Sequence, residues 1–111
     1  NQYRLLFADS PGPITPAQQQ LAQGIPDVDL ALLPLVGMDA GIPPLLDLVR
    51  LFKPGTVLLG HHDGPGLAKW ASIVPAALEI RDALPGTRTP EPTYRTPVCV
   101  NTVTKDVFIG R

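Results

Sequence analysis

Proline and glycine constrain this chain more than any other feature. The sequence carries 14 prolines and 10 glycines, 24 of its 111 residues, against roughly 12% for the two together in average proteins. Proline removes a backbone donor and glycine loosens the backbone, so neither a long helix nor a long central strand survives between them. What remains possible is a fold of short strands and short helices joined by stiff turns.

The pieces between these breaks have distinct periods. Tyr3 to Ala8 (YRLLFA) is apolar and stops at Asp9-Ser10-Pro11-Gly12-Pro13, which reads as a short buried strand. Thr15-Pro16-Ala17-Gln18 carries a capping residue, a proline at the first helical position and a glutamine placed for a capping box, so a helix is expected to about Gln23, stopping at Gly24. Asp27 to Leu35 (DVDLALLPL) reads as a second strand with Pro34 at its carboxyl end. Leu45, Leu46, Leu48, Val49 and Phe52 form a helical apolar stripe over Ile42 to Phe52, and Lys53-Pro54-Gly55 closes it.

Thr56 to Gly60 (TVLLG) is a third expected strand, leading directly into His61-His62-Asp63-Gly64-Pro65-Gly66. A helix follows somewhere within Leu67 to Leu84, started or kinked by Pro75 and closed by Pro85-Gly86. Thr87 to Pro97 has no periodicity and reads as an extended surface loop. Val98 to Val103 and Val107 to Ile109 flank Thr104-Lys105-Asp106 as a terminal hairpin whose strands are expected to join the sheet. Strands alternating with helices imply α/β layering in a single domain over residues 1–111.

Charge and cysteine content act by exclusion. Nine basic and ten acidic side chains leave a net charge of −1, so no electrostatic pull toward nucleic acid or an anionic membrane surface is expected. No apolar run approaches the roughly 18 residues of a membrane span. Cys99 is the one cysteine, which removes an internal disulfide framework; set between Val98 and Val100, it reads as a buried, inert thiol. The chain opens on Asn1 with no secretion-signal pattern after it, so the true start is expected to lie upstream and the cytoplasm is the expected location.

The chemistry concentrates on two turns. Both the Asp9 turn and the His61 turn leave the carboxyl ends of expected strands, the edge at which open α/β sheets usually bind ligands. His61, His62 and Asp63 offer two imidazoles and a carboxylate suited to zinc, manganese or iron. Neighbouring side chains on an extended segment point to opposite faces, so one imidazole is the expected ligand and Asp9 the best further donor in the chain. The same residues also read as ordinary polar turns, the histidine pair as a loop and Asp9 before Ser10-Pro11-Gly12 as turn chemistry. Competing constellations are weaker. Ser10 lacks a nucleophile elbow, residues 60–66 lack phosphate-loop spacing, and Asp27 and Asp29 read as solvated or turn-forming. Trp70 and Phe52 read as core or rim aromatics.

In order, FADSPG, DVDLALLPLVG and KPGTVLLGHHDGPG resemble the carboxyl-terminal half of the metallo-β-lactamase superfamily, nearest its ascorbate-6-phosphate lactonase-like branch. The resemblance runs from about Tyr3 to Gly66 and, more loosely, through the terminal hairpin. It implies half of a four-layer αββα sandwich: a mixed sheet covered by helices, with a C-terminal β-hairpin. Asp9 matches the aspartate that bridges two metal ions and His61 the last histidine ligand. His62 stands where the family has an aromatic residue, as pocket wall, and Asp63 would be a partner behind the ligands. Ala8 departs from the family's glycine, and the family's H-x-H-x-D-H segment does not occur in these residues.

The implied activity is metal-dependent hydrolysis, in which water on zinc or manganese, two ions in the complete protein, attacks an ester, lactone, amide or phosphodiester of a small-molecule substrate. The remaining ligands would come from a missing N-terminal half. The other expectation, from a different class, is a non-catalytic binding or dimerisation domain, a homo-oligomer formed through the apolar face that the absent half would have met.

Overall fold

The computed structural model describes residues 2–8, 13–25, 27–34, 43–60, 73–91 and 96–110. Within them the chain alternates strand and helix: β1 (Leu5–Phe7), α1 (Pro16–Gly24), β2 (Leu30–Pro34), α2 (Pro43–Phe52), β3 (Thr56–Gly60) and α3 (Ile73–Ala83), followed by β4 (Val98–Val100) and β5 (Val107–Ile109). β1, β2 and β3 form a parallel sheet in that order. Phe7 lies opposite Leu32, and Leu32 opposite Leu58.

Local chemistry explains the element ends. Thr15 accepts from the Gln18 N–H at 3.1 Å while the Gln18 side chain accepts from the Thr15 N–H at 2.9 Å, the reciprocal capping box that the sequence predicts. α2 ends where Lys53 enters the left-handed region at φ 45°, its N–H still reaching the Val49 carbonyl at 2.8 Å. The next turn brings two backbones together: a Cβ on Gly55 would stand 3.3 Å from the Asp29 carbonyl oxygen.

Helices cover one face of the sheet. Ala31, Leu33, Val57 and Leu59 pack with Leu45 and Val49 of α2 and with Ala76, Ala77 and Ile80 of α3. Val28, Leu48 and Phe52 form a second cluster, against which Leu6, Ala8, Ile14 and Ala22 pack. Sequential parallel strands joined by crossovers of one hand put their helices on one side, as here. The alternate residues, Leu5, Phe7, Leu30, Leu32, Thr56 and Leu58, therefore project from the opposite face. There Leu30 and Thr56 are buried at the amino end, Leu32 and Leu58 are only half-buried, and Phe7 is 67% exposed.

Several expectations are corrected. β1 is not buried, because Leu5 and Phe7 point away from the helices. The sheet is parallel rather than mixed: β4 and β5 pair antiparallel as a separate two-stranded sheet, Val98 opposite Ile109. Alternation puts Cys99 on the outer side of that hairpin, where its thiol is exposed rather than buried. The segment after α3 is also not wholly a surface loop. Thr56 and Arg88 form a parallel bridge, Thr87 donates from its buried hydroxyl to the Pro54 carbonyl at 2.8 Å, and Arg81 of α3 donates to the hydroxyl and carbonyl of Thr89 at 2.6 and 2.7 Å. Its prolines exclude regular pairing without excluding burial.

Candidate functional site

Parallel pairing brings the carboxyl ends of all three strands to one edge. The backbone is described through Ala8 beyond β1, through Pro34 at the end of β2 and through Gly60 at the end of β3. The Ala8 N–H donates to the Leu32 carbonyl at 3.1 Å, so β1 pairing continues to this edge. Because β2 lies between β1 and β3, their backbones are two strand spacings apart, roughly 10 Å.

The residues that the sequence singles out, Asp9, His61, His62 and Asp63, each lie outside the described residues. The described neighbours, Ala8 and Gly60, fix where the chain leaves the sheet: on the same edge, on either side of β2. A hard carboxylate and a borderline imidazole delivered from two such positions are a donor pair suited to zinc or manganese. Among the described residues no three His, Cys, Asp or Glu side chains gather as a metal cluster.

Beside this edge lies a groove of about 460 Å³, lined by apolar strand residues that include Phe7, Leu32, Pro34 and Leu58. An apolar recess at the carboxyl ends of parallel strands has the usual character and position of a small-molecule site.

A second cluster occupies the opposite, amino edge and is not apparent in the sequence. Asp29, with its side chain 5% exposed, accepts from the Arg4 N–H at 2.7 Å and pairs with the Lys105 ammonium at 2.6 Å. Burial alone would raise its pKa; the Lys105 hydrogen bond and the Arg4 N–H outweigh burial and hold the carboxyl below its ordinary value. Tyr3 adjoins the group, and its phenol is pushed up by burial first and then by the Asp29 charge. Asp29 is thus neither solvated nor merely turn-forming, whereas Asp27 is exposed. The D-x-D spacing at the start of β2 is the only local signal, since Lys105 is far away in sequence. These groups are tied to one another and face the end of the sheet away from the groove, so they serve the fold.

Comparison of the chain with family models, with curated proteins and with solved structures found no match. Among the described residues no helix is long and apolar enough to cross a membrane. The functional reading therefore stands on the residue pattern and on the topology that surrounds it.

Proposed function

We propose that this chain supplies part of a metal-dependent hydrolase site, with Asp9 and His61 as ligands at the carboxyl edge of the parallel sheet. One observation carries the reading: β1 and β3 run parallel on either side of a single strand, so the segments that follow Ala8 and Gly60 start from the same edge. A gap of roughly 10 Å between those strands is one that a carboxylate and an imidazole reaching inward could close around an ion with bonds of about 2 Å. Resemblance to the metallo-β-lactamase superfamily implies the roles: Asp9 and His61 would hold the metal, His62 would wall the pocket and Asp63 would stand behind the ligands.

A zinc or manganese pair bound there would acidify water toward neutrality and polarise an ester, lactone, amide or phosphodiester. This chain's own contribution would be two donors, one in each of the segments that follow Ala8 and Gly60. With two histidines in 111 residues, the further ligands come from outside them.

The uncovered sheet face supports the same reading. All-parallel sheets occur almost only with both faces covered, and here, among the described residues, the helices pack on the other face while Leu5 and Phe7 stay exposed and Leu32 and Leu58 half-buried on this one. A second sheet packed there, completing the four-layer αββα sandwich, would cover it and bring in the remaining ligands. The same exposure favours one other reading, a non-catalytic dimerisation or binding domain that uses this face against a partner.

Metal analysis separates the two. The protein with its complementary half is expected to bind about two zinc or manganese ions, and Asp9→Ala or His61→Ala to lower that occupancy. Unchanged metal content in both variants would overturn the hydrolase reading, and a stable metal-free dimer that excludes the complementary half would favour the second.

A further inference from the structure

The terminal hairpin is fixed to the rest of the molecule in an unusual way. Within it the hydrogen bonding is complete enough to hold its shape: β4 and β5 pair over three rows, Asn101 N–H donates to the Asp106 carbonyl at 2.9 Å, and Lys105 N–H to the Asn101 carbonyl at 2.7 Å. The Asn101 side chain adds two bonds, from the Val103 and Thr104 N–H groups at 2.9 and 3.1 Å. Yet no residue from 98 to 109 is fully buried, and neither hydrophobic cluster contains one. Val103 at the tip is 86% exposed, and Phe108 and Ile109 also face solvent.

Polar contacts do most of the tying. Arg88 donates to the Lys105 carbonyl at 2.8 Å and lies 3.6 Å from the Asp106 carboxylate, both at half-exposed positions. A tie with a buried end is Lys105 to Asp29 at 2.6 Å. Lys105 makes it from a left-handed backbone conformation, φ 64°, which a residue with a side chain adopts at a cost. Behind it lies a recess of about 350 Å³ between Gln2 and Tyr3 on one side and Thr102, Val103 and Lys105 on the other. The Tyr3 hydroxyl next to it is buried without a hydrogen-bond partner. The junction is thus underfilled and held at a point.

We propose that the β4–β5 hairpin is a strap latched to the amino edge of the sheet by the Lys105–Asp29 ion pair, and that it opens as a unit while β1–β3 and the helices stay folded. Local opening of this kind draws on elements with few buried apolar contacts, and a strap outside both hydrophobic clusters is such an element. Opening would free the Tyr3 hydroxyl to bond with water, which favours the open state. The latch opposes it: the Asp29 carboxylate would keep only the Arg4 N–H, and removing one partner from a largely buried pair is costly.

Native-state hydrogen exchange on the 111-residue chain tests this, comparing wild type with Lys105→Met and Lys105→Arg. The amides of Asn101, Lys105 and Gly110 should exchange faster than those of Ala31, Leu33 and Val57, through an opening that denaturant scarcely accelerates. Lys105→Met should speed the hairpin amides by roughly tenfold or more and leave the sheet amides unchanged, while Lys105→Arg restores much of the protection. Equal protection in hairpin and sheet, moving together with denaturant, would overturn the strap. Hairpin rates unchanged in Lys105→Met would overturn the latch.

Discussion

Asp29 shows how a single side chain can join three distant parts of the chain. Its carboxylate takes the Arg4 N–H and the Lys105 ammonium, and its backbone carbonyl takes the Thr56 N–H at 3.0 Å. Its pKa is held below the ordinary value of 3.8, so the folded state binds this proton less readily than the unfolded state does. The resulting stability is fully present above the unfolded value and is lost as pH falls through the folded one. Asp29→Asn is therefore expected to cost about 1–3 kcal/mol at pH 7, measured by urea unfolding, with the gap from wild type narrowing once pH drops below about 4. A gap that stays constant down to pH 2 would show that the carboxylate contributes by shape rather than by charge.

At the scale of elements, the sequence is legible wherever a local rule acts. Thr15, Pro16 and Gln18 specify the start of α1 within four residues, and the capping box forms as the spacing requires. The apolar stripe of α2 likewise predicts its inward residues: Leu45, Leu48, Val49 and Phe52 are the ones buried. Associations between elements are not legible in the same way. Nothing near Val98 or Val107 states that the hairpin stands apart from the sheet, or that Cys99 faces out, because alternation fixes only relative sides and the partner surface decides which side is inner. Arg88 pairing beside Thr56 is a contact of the same non-local kind.

The candidate site divides along the same line. Expected strand ends give the common edge, whereas Asp9 and His61 themselves lie outside the described residues. α1 has no fully buried residue, so its capping box is expected to carry a measurable share of its stability. Thr15→Ala should cost about 1 kcal/mol, seen as a lower denaturant midpoint and as faster amide exchange confined to residues 16–24. Loss of the same size spread over β2 and α2 would instead make α1 part of the central cooperative unit.

For the molecule as a whole, the decisive quantity is the size of the uncovered sheet face. Three strands spaced by about 4.8 Å, each of up to five residues rising about 3.3 Å, bound that face at roughly 14 by 17 Å, and Leu30 and Thr56 on it are already buried. That is well short of the roughly 800 Å² per partner found in stable specific complexes. A homodimer built on this face alone should thus be weak, while a complementary half that also wraps the carboxyl edge would bury far more. The isolated chain is accordingly expected to self-associate reversibly, with a light-scattering mass that rises with concentration instead of reading as a fixed dimer. Phe7→Glu, at a position 67% exposed, should suppress that rise with little change in unfolding midpoint, because exposed positions away from special contacts tolerate substitution within about 0.5 kcal/mol. A tight dimer that persists at nanomolar concentration, or association indifferent to Phe7→Glu, would mean that another surface joins the copies and would remove the argument that this face awaits a second sheet.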